Sequence, residues 1–315
     1  MARFVGRRLI AVVPLLLIVT VLVFSLILLL PGDAAVALVG LENATEEKLA
    51  AIRERLGLDR PLWVQYGRWL GRVVQGDLGT SFRTGEPVAE ALLHRVPVTL
   101  GLAVAATVFG LLVGCPLAVV AAVKRGSALD ATARGVAALG VAIPNFWLGS
   151  MLVLVFALQL RWLPATGYVS VVEEPWTGTL HLLLPTLTLG ASAVAEVTRQ
   201  LRSGLQDVLA SEYVRTARAK GLGERAVVAK HALRNALIPI VTIAALTINR
   251  IIGATVVVES IFALPGLGRM NLESVLNRDF PTLQGAVLLM AVLVIAINLV
   301  SDIAYGWVDP RIRYS

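Results

Sequence analysis

The sequence predicts an all-α polytopic membrane protein with about six transmembrane helices. Of the 315 residues, 57% are hydrophobic and only 16% are charged. The mean hydropathy is +0.78, whereas a soluble domain of this length needs far more charge to cover its surface. The apolar residues also gather into uncharged runs of membrane-spanning length, with Lys and Arg in the short loops between them. The net charge of +7 is therefore read as topology rather than as nucleic-acid binding.

The first span runs from Leu9 to Leu30 without a charge, after Arg3, Arg7 and Arg8. At 1.5 Å per residue it reaches roughly 30 Å, enough to cross the hydrocarbon core. Ala34–Ala37 offers a small-residue cleavage pattern, but the long apolar run is read as an uncleaved anchor. Further runs follow at Val96–Val123, Gly135–Leu160 and Pro175–Ala195, the last with His181 as its one titratable group. Asn235–Val258 is interrupted by Arg250, and Phe280–Ser301 completes the set. Pro116, Pro144, Pro185 and Pro239 are expected to bend these helices, and Gly110 and Gly114 to allow close packing.

Loop charge orients the bundle. Lys124, Arg125 and Arg134 lie between spans two and three. Arg199, Arg202, Arg215, Arg218, Lys220, Arg225, Lys230 and Arg234 lie between spans four and five. The alternate loops hold only Arg161 in one case and Arg269 and Arg278 in another. This asymmetry predicts that both termini and the two basic loops are cytoplasmic.

Three regions follow: residues 1–30 with the first span, an extracytoplasmic segment over 31–95, and a five-helix core over 96–315 that includes a cytoplasmic loop at 199–236. The 31–95 segment is too polar for lipid yet patterned. Thr45 is expected to cap a helix whose first turn holds Glu46 and Glu47, with Leu49, Ile52 and Leu56 on one face and Gly57 as its stop. Pro61 starts a second helix with Leu62, Tyr66, Trp69, Leu70 and Val73 on a stripe. Its aromatics suit a membrane interface or a seat on the bundle.

Catalytic constellations are missing. No phosphate-binding GxxxxGK[ST] loop occurs, nor HExxH, nor a GxSxG elbow. His94, His181 and His231 stand in different segments, and Cys115 sits alone in an apolar run, so neither a metal site nor a disulfide is expected. A membrane enzyme and a self-sufficient channel remain the rival classes to a partner-dependent transporter.

The most informative stretch is the internal loop Ser211–Pro239, SEYVRTARAKGLGERAVVAKHALRNALIP. Ala217, Ala219 and Gly221 stand together, framed by Arg215, Arg218 and Lys220. A short helix of small residues can press its backbone into a partner's groove while the cations meet carboxylates on the rim. Positive-inside topology explains the arginines but not the run of small residues and the glycine break.

This loop resembles the coupling motif of ABC-importer permeases, E-A-A-x-x-x-G followed at a fixed distance by I-x-L-P. Arg215–Gly221 aligns with its first part and His231–Leu233 with its second. Arg215 replaces the glutamate, Thr216 the first alanine and Arg234 the proline, departures similar to the variant in dipeptide and oligopeptide permeases. LPGD at Leu30–Asp33, LGLDRPLWVQYGRWL at Leu56–Leu70, GDLGTSF at Gly76–Phe82, IPNFWLG at Ile143–Gly149, LPATGY at Leu163–Tyr168, FALPGLGR at Phe262–Arg269 and DPRIR at Asp309–Arg313 resemble that subfamily in the same order.

The resemblance implies a type I ABC-importer permease fold in the plasma (inner) membrane, with peptide as the cargo. Glutathione or a nickel chelate is the alternative cargo. It implies a second homologous permease subunit, two ATP-binding subunits carrying ATP and Mg, and an extracytoplasmic solute-binding protein; this chain would hold no cofactor of its own. Arg215, Thr216, Ala217, Arg218, Ala219, Lys220, Gly221 and Leu222 would contact the ATPase. Candidate pathway residues are Arg250, Asn249, Glu196 and Asn145. An arginine in mid-span must face protein, water or a carboxylate, so Arg250 is a pathway cation that meets a peptide carboxylate, a structural ion pair or a contact with the second permease, with Glu196 as one possible partner and Glu259 farther along its own helix.

Overall fold

The computed structural model of this chain describes residues 2–29, 36, 45–228 and 238–308. Leu30–Asp33, His231–Arg234, the start of the fifth run at residues 235–237 and the DPRIR tail lie outside the described residues. Helix α1 spans Ala2–Leu29. Two short helices follow, α2 over Glu46–Leu56 and α3 over Leu62–Val74. Gly57 stops α2 in the left-handed region at φ 69°, with its N–H bonded to Glu54 O at 3.0 Å. Thr45 holds the extended N-cap geometry, but its side chain makes no capping bond, so that part of the sequence expectation fails.

Helix α4 covers Val88–Val123, starting eight residues before the uncharged run. Its first turns carry Glu90, His94 and Arg95, which helical geometry tolerates beyond the hydrocarbon. The uncharged stretch Gly135–Leu160, expected as one span, is instead broken. Helix α5, Ala128–Ala142, and helix α6, Asn145–Leu152, meet at 101°. Ile143 is extended at φ −78° and ψ 121°, the geometry that a following proline imposes. A π-helical turn, Val153–Gln159, continues α6.

Helix α7, Pro175–Leu209, is followed by α8, Glu212–Ala219, and the short α9, Glu224–Ala226. Then come α10 over Ile238–Ile261, α11 over Leu267–Leu276 and α12 over Phe280–Val308. Among the described residues five helices are long and apolar enough to cross a membrane, and the bent pair α5–α6 brings the number to six.

The chain divides into two compact units. One contains Thr99–Leu264 and Ile297–Ser315, the other Ala2–Val98 and Pro265–Ala296. In the first, α7 is the packing axis, with Leu184, Leu189, Val197 and Leu201 almost fully buried. Small residues let its neighbours approach: a Cβ on Gly110 would lie 2.5 Å from Ala193 Cβ, and one on Gly140 would lie 2.9 Å from Ala191 O. Asp130, 2% exposed near the start of α5, takes a two-point bond from Arg202 of α7, at 2.8 Å from Nε and 3.1 Å from Nη2.

The second unit is centred on Val88, Leu92, Leu267, Met270 and Ala286. Its α3 docks on α1: Thr20 Oγ1 and Tyr66 OH are 2.9 Å apart, and Phe24 meets the rings of Tyr66 and Trp69 at 5.6 and 5.9 Å. The GDLGTSF segment is held by Asp279, just before α12. The Asp279 carboxylate accepts from Ser81 Oγ at 2.5 Å, Phe82 N at 3.0 Å and Thr282 Oγ1 at 2.7 Å.

Candidate coupling helix and cargo cavity

The first site is α8 and the turn after it. Its amphipathic pattern buries Val214 and Ala217 against Val227, with Val208 and Leu209 packed alongside. Ala217 therefore packs inward. Arg215, Thr216, Ala219, Lys220, Gly221 and Leu222 lie on the exposed side. Arg215 Nη1 pairs with Glu212 at 2.7 Å, and Thr216 Oγ1 donates to Glu212 O at 3.0 Å.

Arg218 is used within the loop. Its Nη2 and Nε donate to Glu224 at 2.6 and 3.1 Å, and Nη1 reaches Leu209 O, at the end of α7, at 3.4 Å. That bond from the guanidinium holds the Glu224 carboxyl below its usual range, and Glu224 in turn raises Arg218. Arg218 thus ties α8 to both α9 and α7. Gly221 sits at φ +82°, and among the described residues a Cβ there would meet nothing within 4 Å. The conformation, not crowding, is what calls for glycine.

The second site is a cavity of about 250 Å³ in the first unit. Gly140, Pro144 and Asn145 at the α5–α6 break form one wall, Ser192 of α7 another, and Arg250 and Ala254 of α10 a third. The extended Ile143 and Pro144 at the break leave the helical path, and residues of both α5 and α6 reach the cavity there. Arg250, midway along α10, has its side chain 59% exposed, with Nη1 3.2 Å from Glu196 Oε2. Glu196, 6% exposed, also accepts from Arg199 Nη2 at 2.6 Å and from the Gln200 amide.

Three of the four candidate pathway residues thus come together. Arg250 and Asn145 line the cavity, and Glu196 stands behind Arg250. Asn249 does not join them: its Nδ2 donates to Asn298 Oδ1 of α12 at 2.6 Å. Glu259 is also elsewhere, fully buried and accepting from Thr99 Oγ1 at 2.7 Å. Sequence reasoning missed Ser192 as a wall residue and Arg199 as the second claimant on Glu196. The i, i+3 spacing of Glu196 and Arg199 on one helix was the available signal for the latter. Among the described residues no cluster of three or more His, Cys, Asp or Glu side chains is arranged to hold a metal ion.

Comparison with known proteins agrees with this architecture. Residues 114–314 match the family model described as binding-protein-dependent transport system inner membrane component, and residues 1–103 match the model for its N-terminal region. The dipeptide transport system permease protein DppB of Escherichia coli K12 is 38% identical over 337 aligned positions, covering 100% of this chain and 99% of the relative. DppB of Alkalihalophilus pseudofirmus is 37% identical over 334 positions, covering all of both chains. A solved structure of the MetNI methionine ABC transporter superposes with a TM-score of 0.59 at 20% identity, over 69% of this chain and 96% of that one, a likeness of fold. Six potential spans and full-length similarity converge: the chain belongs to the family of binding-protein-dependent transport system inner membrane components.

Proposed function

We propose that this chain is one permease subunit of an ATP-driven importer that carries peptides into the cytoplasm by alternating access. The observation that carries the reading is α8, a helix braced to the end of α7 by Arg218 while presenting Arg215, Thr216, Ala219, Lys220 and Leu222 outward. Two separate ATPase subunits, holding ATP and Mg, grip this face and the Gly221 turn. A second homologous permease completes the translocation path, and a solute-binding protein delivers cargo from outside. The basic loops support an inner-membrane topology with both termini cytoplasmic and residues 31–95 as the extracytoplasmic segment ahead of the 96–315 core.

ATP-driven closure of the ATPases moves α8, α7 follows through its Arg218–Leu209 link, and the cavity beside Arg250 changes access. Each ligand must bind the two states unequally for this to work. The dipeptide-transport relatives favour peptide cargo. Glutathione or a nickel chelate is the alternative, and competition against labelled dipeptide uptake separates them.

The test is a mild-detergent pull-down of the tagged chain from its native membrane, with copurifying proteins identified and ATPase activity assayed. A second permease and ATPase subunits are expected, and recovery of the chain alone would defeat the proposal. Gly221→Leu adds strain of about 1–2 kcal/mol at a left-handed position and should uncouple peptide-stimulated ATP hydrolysis while the subunit still inserts.

A further inference from the structure

We propose that Arg250 binds the carboxylate terminus of the cargo, with Glu196 as an exchangeable counter-ion held in place by its own helix. This rests on the peptide-import reading above and assigns the chemical end of the cargo that the cavity recognises.

Charge is the first argument. Glu196 supplies one negative charge and faces two arginines, Arg199 and Arg250. The cluster therefore keeps one positive charge in excess, and among the described residues the cavity wall holds no acidic side chain to offset it. An unbalanced cation midway along a membrane helix is costly, and such charges mark substrate routes. An anionic group entering the cavity removes that cost.

Geometry says which arginine is available. Arg199 and Gln200 lie on the same helix as Glu196, three and four residues on, and Arg199 is the nearer arginine at 2.6 Å against 3.2 Å for Arg250. When Arg250 leaves, Glu196 keeps both helical donors, so no buried carboxylate is stranded. Arg250 meanwhile commits one N–H to Glu196, and its side chain, more than half exposed, lines the cavity. The guanidinium fork matches a carboxylate at two points, which a single contact to Glu196 does not use.

The surroundings suit the end of a peptide. Ser192 lines the cavity and spends its proton on Leu189 O at 2.8 Å, which leaves its oxygen to act as an acceptor for a cargo amide. Helix α6 begins at Asn145 in the cavity wall, and the positive end of its dipole adds to the preference for an anion. The other use open to the exposed Arg250, pairing with a carboxylate of the second permease, predicts dependence on assembly rather than on cargo.

The assembled importer, purified with its own partners and reconstituted with its binding protein, separates these. Uptake of alanyl-alanine and of alanyl-alanine amide is measured for wild type, Arg250→Gln and Arg250→Lys. The binding protein's own preference is common to all three and cancels in the comparison. Arg250→Gln should cut the acid-over-amide preference by about tenfold or more, the loss of a charge-assisted bond, through a raised KM for the acid. Arg250→Lys should keep part of it. Equal loss for both peptides, or an unchanged preference, would overturn the carboxylate contact while leaving peptide import intact. A wild-type complex that imports neither peptide would overturn the peptide reading itself, and the inference with it.

Discussion

Gly110→Ala tests the packing of the first unit most sharply. The added Cβ would stand 2.5 Å from Ala193 Cβ, 3.1 Å from the Ala193 carbonyl carbon and 3.4 Å from its Cα. Ordinary contact begins near 3.4 Å, so α4 and α7 must part locally by about 0.9 Å. Neither obstacle is the tip of a flexible chain. A gap of 0.5–1 Å forfeits roughly a quarter to a half of each dispersion well along the seam, and overpacking of this kind costs about 1–3 kcal/mol. Backbone involvement puts Gly110→Ala at the upper end of that range. Gly101→Ala, in the same helix, is the control, because among the described residues a Cβ there meets nothing within 4 Å. It should be neutral or stabilising by up to about 1 kcal/mol from helix propensity. The assay is thermal unfolding of the two purified variants, followed by the size-exclusion peak that survives each temperature. Equal melting temperatures for the two variants would refute the close α4–α7 approach.

Three further outcomes follow from buried or clamped charges. Asp279→Ala strands the Ser81 hydroxyl, the Phe82 N–H and the Thr282 hydroxyl and should cost about 3–5 kcal/mol, with new proteolytic cleavage between residues 76 and 87; Asp279→Asn, which keeps one acceptor, should cost less. Arg202→Gln leaves Asp130 with Gly126 N and the more distant Arg134 and should lower the melting temperature, part of the loss being regained when Asp130→Asn is added. Glu224 has its folded pKa lowered by Arg218, so its contribution is present above the usual carboxylate pKa of about 4.3 and is lost as pH falls through the lower folded value. Amide exchange in α8, corrected for intrinsic rate, should then stay flat from about pH 6 to 8. At neutral pH, Glu224→Gln should speed it by at most about fivefold, the worth of a half-exposed pair.

The bilayer made much of this fold legible. A helix must supply its own hydrogen bonds in lipid, so each uncharged run announced a helix, and Gly57 and Pro61 marked the ends of the two short helices correctly. Pro144 was legible as a bend, but not as a 101° break in a cavity wall, because one proline can kink a helix or end it depending on what packs around it. The Arg250–Glu196 pair was foreseeable, since a mid-span arginine needs a carboxylate and few lie within reach. Asp130–Arg202 was not: its partners are 72 residues apart, and Arg202 reads equally well as a topological charge. Ala217 reads from sequence as one of the outward small residues, because spacing alone does not say which face of a short helix meets its own chain.

Helix α7 also bears on how this protein is made. With α10 it is the least apolar of the continuous spans, and 56% of its apolar window is covered by protein, against 11–39% for the others. Its uncharged run ends at Ala195, and Glu196, Arg199 and Arg202 follow beyond it. The modest hydropathy and large protein-covered share make the seating of α7 depend on neighbours already in the membrane. The order of synthesis meets that need: α4 brings the bare backbone of Gly110 and Gly114, and α5 brings Gly140 and the carboxylate of Asp130, before α7 leaves the ribosome. Helix α10 comes afterwards, so the costly Arg250 enters a bilayer in which Glu196 is already seated.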